Sequence, residues 1–264
     1  MLQKTSVVLA MVAHASLSFA AESGAFVNPL ATPSGFTLGI QGSDYVYREP
    51  DLGVKQSGSK LGVTGSYTRN ESSTYPFIRF ELHYADSRMK YEGTGTMNDV
   101  PEKNAAVRML IGKDVFPRGG YSLTPYLGVG YRYLHDDLRG QSSTGALGYR
   151  RTSNYTYLPL GLSMRLLPGA GWILVPTAEF DVFLGGRQDS RLSDTGLGLP
   201  DISSSQDNGY GYRASFFLEK GRIAFGPWMH YWRIRNSDFS EGTWGWYEPK
   251  NWTREVGAEL RYRF

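Results

Sequence analysis

The sequence has no cysteine, little net charge and, after its first twenty residues, no long apolar run. Without cysteine the chain has no disulfide, no thiolate metal ligand and no cysteine nucleophile. Its 28 Lys and Arg against 25 Asp and Glu leave a net charge of +3, and the basic residues are spread along the chain, so no nucleic-acid partner is expected. A membrane-spanning helix needs roughly 20 apolar residues in a row, which excludes a protein built from several such helices.

Glycine and aromatic residues are abundant instead. The chain of 264 residues has 32 glycines and 18 tyrosines, and 14% of its residues are aromatic. This composition is typical of an all-β protein rather than a helical bundle. It also excludes a disordered chain, which would have few aromatic residues and a strong charge bias.

The N-terminus indicates export. Lys4 precedes a mostly apolar run. In the segment Ser18-Phe19-Ala20, Ser18 and Ala20 are the small residues at positions −3 and −1 of a cut after position 20. These features predict a cleavable signal peptide over residues 1–20, followed by one domain over 21–264. An N-terminal helix of the folded domain is the alternative interpretation.

Beyond that point, apolar and polar residues alternate with a period of two, which predicts β-strands. In the segment 78–84 (Ile-Arg-Phe-Glu-Leu-His-Tyr), the large apolar side chains fall on one face and the charged ones on the other. In a soluble β-protein the charged face would meet water. In an outer-membrane barrel the apolar face meets lipid and the charged face lines the lumen.

Ten such segments predict an all-β fold: an antiparallel up-and-down transmembrane β-barrel of ten strands, with eight or twelve strands as alternatives. The predicted strands lie near residues 34–47, 57–69, 76–88, 104–116, 121–135, 154–167, 172–185, 209–220, 222–235 and 248–264.

The connections between these strands alternate in length. Short turns alternate with long polar segments such as 87–103, 136–153 and 186–208, which we expect to be loops. A barrel with both termini in the periplasm has this arrangement, with the long loops outside. A soluble secreted β-barrel is the rival at the level of the fold.

The inward positions of the predicted strands carry charges of both signs. A ten-stranded barrel encloses little space, so we expect these side chains to pair and fill the lumen. This expectation argues against general porin activity. The predicted lumen charge network consists of Arg79, Glu81, His83, Arg108, Arg132, Arg165, Glu179, Asp181, Arg213, Glu255, Glu259 and Arg261.

Two segments carry a resemblance to known proteins. Residues 255–264 (Glu-Val-Gly-Ala-Glu-Leu-Arg-Tyr-Arg-Phe) resemble the C-terminal strand of bacterial outer-membrane barrels, in which Tyr262 and Phe264 would form the membrane-insertion signal. Residues 121–133 are similar to strands of small barrels of the opacity and OmpX/OmpA-like type. The resemblance implies the outer membrane of a Gram-negative bacterium and, as partners, its lipid, lipopolysaccharide and the barrel-assembly machinery. It implies no activity.

Candidates for catalysis are few. His83 is either a general base oriented by a carboxylate or a member of the lumen network. His135, Asp136 and Asp137 resemble the His and Asp pairs near the rim of omptin-family proteases, and the alternative is the start of a solvated loop. No signature of a metal, nucleotide or phosphate site is present, so no cofactor is expected.

The sequence therefore favours a non-enzymatic outer-membrane protein. Its long exterior loops would serve adhesion, another contact with a host or surface ligand, or envelope integrity. A hydrolase acting at the extracellular rim and a narrow solute channel lined by the Arg and Glu residues are the alternatives.

Overall fold

The computed structural model describes residues 28–72, 75–117, 120–239 and 245–264. The predicted signal peptide, residues 1–20, lies outside the described residues. Within these ranges, no helix is long and apolar enough to cross a membrane.

The described chain is almost entirely antiparallel β-structure. The strands are β1 (Gly35–Glu49), β2 (Val54–Arg69), β3 (Phe77–Gly93), β4 (Gly95–Gly112), β5 (Tyr121–Gln141), β6 (Leu147–Gly169), β7 (Trp172–Arg191), β8 (Ile202–Gln206), β9 (Gly209–Lys220), β10 (Ile223–Ile234) and β11 (Asn251–Arg263). A single 3₁₀ turn, Leu192–Thr195, follows β7.

Ten of these strands close into a barrel. Each strand from β1 to β7 pairs with the next, β7 pairs with β9, β9 with β10 and β10 with β11. The barrel closes where β1 pairs with β11, from Thr37 opposite Arg263 to Arg48 opposite Trp252. β8 is a short additional strand that pairs only with β7. The predicted ten-stranded up-and-down barrel is confirmed.

The two ends of the barrel differ. We call the end that holds the start of β1 and the end of β11 the termini end, and the opposite end the far end. At the termini end, two-residue turns join β6 to β7 and β9 to β10. At the far end, a single residue joins β3 to β4, and longer segments join β7 to β9 and β10 to β11.

Part of the predicted loop structure is wrong. Of the segments expected to be long loops, 87–103 is a continuous β-hairpin, and most of 136–153 belongs to β5 and β6. β7 also continues to Arg191. The outward side chains of these extensions are polar because they lie beyond the apolar band. Their sequence therefore has the polar composition expected of a loop. The far end is therefore distinguished by extended strands as well as by its two long connections.

The outward face of the barrel is an apolar band. Leu61 is 79% exposed and Ile40 is 63% exposed, and the same face of nearly every strand carries such residues. Soluble proteins rarely expose an apolar surface of this extent. A closed barrel satisfies its backbone hydrogen bonds internally, so such a face is suited to lipid.

Of the prolines that lie inside strands with no free edge, four have a modified hydrogen-bond ladder nearby. The β5–β6 ladder is interrupted beside Pro159, the β9–β10 ladder beside Pro227 and the β6–β7 ladder beside Pro176. Pro125 lies just beyond the end of the β4–β5 ladder. Local gaps in pairing therefore accommodate residues that lack an N–H.

Inward glycines make room for aromatic rings. A Cβ on Gly130 would lie 2.2 Å from Cζ of Tyr157. Tyr157 is 0% exposed, and its hydroxyl accepts a hydrogen bond of 2.9 Å from Arg213 Nη2. The ring is thus fixed against the glycine and has no free space to move into.

We expect Gly130→Ala to lower the free energy of unfolding by about 1–3 kcal/mol, the usual effect of overpacking. Gly65→Ala is the matched control, because a Cβ there would point outward with its nearest neighbour, Leu38 Cδ2, at 3.7 Å. Urea unfolding in detergent, followed by heat-modifiable gel mobility, measures both. Equal midpoints for the two variants would contradict the close packing of Gly130 and Tyr157.

Candidate functional site

The interior contains a polar cavity of about 290 Å³. It extends from Arg222 and Arg263 at the termini end to Arg132 and His230 about halfway along the barrel. Its walls are mainly Arg, Glu, Ser and Thr side chains from the inward faces of the strands. All members of the predicted lumen network lie on these inward faces.

Glu179 on β7 is the centre of the network. Its carboxylate pairs with Arg108 and with Arg213, whose Nε lies 3.1 Å from Oε1. It also accepts a hydrogen bond of 2.8 Å from the Tyr126 hydroxyl. Arg108 also pairs with Glu81, whose Oε2 lies 3.4 Å from Arg108 Nε. One buried anion thus holds two cations that come from opposite sides of β7 in the sheet.

The remaining charges nearer the termini end form separate pairs. Arg165 Nη2 lies 2.7 Å from Glu219, and Arg261 Nη2 lies 2.7 Å from Glu259. Arg79 donates a hydrogen bond of 2.9 Å to Thr68 Oγ1. Buried charges are tolerated when they are paired and hydrogen-bonded, so these contacts account for the charged interior.

The two lumen histidines are positioned by different groups. Gln41 Nε2 lies 2.7 Å from His83 Nε2, within hydrogen-bond distance. His230 Nε2 lies 3.3 Å from Asp181 Oδ2, and Asp181 also pairs with Arg213. His83 is thus oriented by an amide and not by the neighbouring Glu81, which pairs with arginine.

Above the cavity, the interior is closed by aromatic residues. Tyr157 and Trp232 meet edge to face with ring centroids 5.1 Å apart, although their strands are separated by β7 and β9. Arg132 lies over Trp232, 5.7 Å from the ring centroid. A buried cluster surrounds this contact and consists of Leu134, Tyr155, Tyr157, Phe183, Trp232 and Ile234.

The far end has a second packed interior that the sequence analysis missed. Tyr45, Met89, Val100 and Leu138 form a buried cluster. Beside it, Lys60 pairs with Glu102, and both side chains are 1% exposed. Lys60 has the same parity as the inward residues of β2, which is the sequence signal that could have placed it inside.

Arg151 adds a buried ion pair at this end. Its Nη1 lies 2.8 Å from Glu49 Oε1, and its Nη2 pairs with Glu248. Glu49 and Glu248 come from β1 and from the segment before β11, so Arg151 on β6 connects opposite sides of the barrel. The far half of the interior is therefore filled by apolar clusters and paired charges.

At the termini end, residues 28–34 lie against the barrel mouth. The Ser122 hydroxyl donates a hydrogen bond of 2.6 Å to the Leu30 carbonyl. Thr32 donates two hydrogen bonds of 2.7 Å to Asp114, one from its backbone N–H and one from its hydroxyl. This segment narrows the opening of the cavity, and its sequence carries no pattern that predicts the contact.

The three candidate catalytic residues do not converge. His135 and Asp137 point outward from β5, whereas Asp136 points inward. Asp137 binds Arg139 at 2.8 and 2.6 Å, and these hydrogen bonds lower the pKa of its carboxyl. His135 Nδ1 lies 3.0 Å from Thr152 Oγ1, and partial burial lowers the pKa of its imidazole. Within the described residues, no carboxylate thus forms a hydrogen bond with His135.

The part of the chain that the structure describes contains no group of three or more His, Asp or Glu residues arranged to hold a metal ion. Tyr262 and Phe264, the predicted insertion signal, point outward at the termini end, with ring centroids 5.1 Å apart. The Phe264 N–H donates a hydrogen bond of 2.9 Å to the Phe36 carbonyl, so the last residue is part of the barrel wall.

We expect Glu179→Gln to lower the free energy of unfolding by roughly 3–5 kcal/mol, because Arg108 and Arg213 then lose the buried negative charge with which they pair. Asp189→Asn is the control, since Asp189 pairs with Arg187 on the exposed outer wall and should contribute about 0–1 kcal/mol. Unfolding midpoints in detergent measure both. Equal losses would mean that the Glu179 network is not the stabilising centre of the lumen.

Comparison with protein-family models gives no match, and comparison with curated proteins gives no significant one. Among solved structures, the chain is similar to the outer membrane protease OmpT from Escherichia coli, with a TM-score of 0.51 and 12% identity over 88% of this chain and 98% of that one. The β-domain of the Bordetella autotransporter BrkA gives a TM-score of 0.46 and 13% identity, over 88% of this chain and 100% of that one. Neisserial surface protein A gives a TM-score of 0.36 and 15% identity, over 88% of this chain and 98% of that one. The fold is that of the outer-membrane β-barrels.

Proposed function

We propose that this protein is a non-conducting outer-membrane barrel that projects a rigid β-structure from the cell surface for contact with an external ligand. The termini end faces the periplasm and the far end faces outward. Outer-membrane lipid surrounds the apolar band, and the barrel-assembly machinery recognises Tyr262 and Phe264. The chain acts through its surfaces and not through its lumen.

The observation that carries this proposal is the packed interior of the far half. Tyr157 and Trp232 close the barrel above the cavity, and the cluster around Met89 fills the space beyond them. An open pore would need a continuous path past both. The lining of the cavity below them reaches Asn104 and Arg132 and does not include the cluster around Met89.

The far end has the form of a contact surface. The hairpins continue as paired strands, so the connecting segments are held in place by backbone hydrogen bonds. Large apolar side chains are exposed on the far connections: Leu52 is 58% exposed, Leu197 is 65% exposed and Phe239 is 64% exposed. In the proposed function, these side chains are the ones that would contact the external ligand.

The alternatives have less support. A solute channel would have to bypass the buried clusters of the far half. A rim hydrolase built on His135 would lack an orienting carboxylate, because Asp137 is held by Arg139. The similarity to OmpT concerns the fold, and its protease activity does not transfer at 12% identity.

We expect the purified protein, inserted in planar lipid bilayers, to give no conductance steps. Folding and insertion are checked in parallel by heat-modifiable gel mobility in vesicles of the same lipid, so that silence does not reflect missing protein. Steady unit conductance from the folded wild-type protein would overturn the proposal and favour the narrow channel.

Orientation is tested with single cysteines, because the natural sequence has none. We expect Leu197→Cys, at the far end, to react with a membrane-impermeant maleimide on intact cells. Tyr75→Cys, in the turn between β2 and β3 and 67% exposed, should react only after the outer membrane is permeabilised. The reverse pattern would contradict the proposed orientation, and labelling of both only after permeabilisation would contradict surface display.

A further inference from the structure

Three arginines form a cluster on the outer wall, just beyond the apolar band towards the far end. Arg48 on β1, Arg233 on β10 and Arg254 on β11 all point outward and are exposed. In the strand register, Trp252 is paired with Arg48 on one side and with Arg233 on the other. We call Arg48, Arg233 and Arg254 the arginine patch.

The patch is compact. Neighbouring strands are about 4.8 Å apart, so the Cα atoms of Arg48 and Arg233 are about 10 Å apart, with Trp252 between them. Arg254 is two residues from Trp252 along β11, which is about 7 Å. The Arg48 guanidinium lies 6.0 Å from the centroid of the Trp252 ring. Three long side chains can therefore reach one group bound over this ring.

Within the described residues, no acidic side chain forms an ion pair with the patch. The outward positions of β9, β10 and β11 contain no Asp or Glu. The outward Asp44 of β1 accepts a hydrogen bond of 3.0 Å from Ser59 Oγ and pairs with none of the three arginines. Three other exposed arginines on the wall each have an acidic partner. The pairs are Arg139 with Asp137 at 2.6 Å, Arg150 with Asp194 at 2.6 Å and Arg187 with Asp189 at 2.8 Å.

Towards the termini end, the patch continues into aromatic and then apolar surface. Tyr231 stacks on Tyr212 with centroids 4.8 Å apart and lies 6.3 Å from Trp252. The next outward residues are Met229 on β10 and Val256 on β11. Amphipathic rings between a charged and an apolar zone are typical of a membrane interface. A molecule bound here would have an anionic head and an apolar tail.

We propose that the arginine patch binds the phosphate-bearing headgroup of a lipid in the outer leaflet. Guanidinium groups bind phosphate oxygens through paired hydrogen bonds, and three of them would neutralise one headgroup. The acyl chains would lie along Met229, Val256 and the apolar band below. This inference rests on the membrane position and orientation proposed above.

The test compares R48Q/R233Q/R254Q with the control R139Q/R150Q/R187Q. The control also removes three positive charges from the wall, but from arginines that each have an acidic partner. Each folded protein is titrated in detergent with lipopolysaccharide and with the same lipid after dephosphorylation. We expect the wild type and the control variant to bind the phosphorylated lipid equally. The patch variant should bind it at least tenfold more weakly, and the dephosphorylated lipid should bind weakly to all three proteins.

Equal binding by the patch variant would overturn the proposal, as would equal binding of the dephosphorylated lipid. Inorganic phosphate is added as a competitor. Failure to displace the lipid supports a lipid site, and full displacement would assign the patch to free phosphate instead. Insertion of every variant into phosphatidylcholine vesicles is measured separately by heat-modifiable gel mobility. A failure of the wild type to insert would reject the membrane barrel itself.

Discussion

The ladder between β1 and β11 is the constraint on which the rest of the molecule depends. Lipid offers no hydrogen-bond partner to the backbone, so a sheet can lie in it only if no edge is left open. Twelve residue pairs, from Thr37 with Arg263 to Arg48 with Trp252, remove that edge. Once the sheet is closed, strand periodicity gives every residue one of two environments, the lumen or the outside. The apolar band and the charged interior are both consequences of this division.

A narrow closed interior then requires its polar groups to satisfy one another. Glu179 binds two arginines and a tyrosine hydroxyl, and Lys60 binds Glu102 where neither is exposed. Bulky rings need small partners on the neighbouring strand, as Tyr157 does against Gly130. The same features that stabilise the barrel therefore occupy much of its interior. Within the described residues, they leave a cavity towards the termini end and buried clusters in the far half.

The strand count and the inward side of each strand could be predicted, because a period of two is written directly in the sequence. That period also implies that His135 and Asp136 lie on opposite faces, so their adjacency in the chain argues against a shared site. The pairing of Glu179 with Arg108, or of Trp232 with Tyr157, could not be predicted, because it depends on the stagger of the strands around the barrel. The far hairpins were missed because, outside lipid, their outward faces are as polar as loops.

On the outer surface, only some of the arginines have an acidic partner. Inside, the barrel supplies most arginines with an acidic partner, and on much of the far wall exposed arginines also have a carboxylate from their own or a nearby strand. Among the described residues, the outward Arg48, Arg233 and Arg254 on β1, β10 and β11 have no such partner. Exposed arginines do not require a partner for stability, but three of them around one tryptophan at the edge of an apolar band form a surface complementary to an anionic amphiphile. In the function proposed above, the contacts that matter are therefore those with the surrounding lipid and with a ligand beyond it.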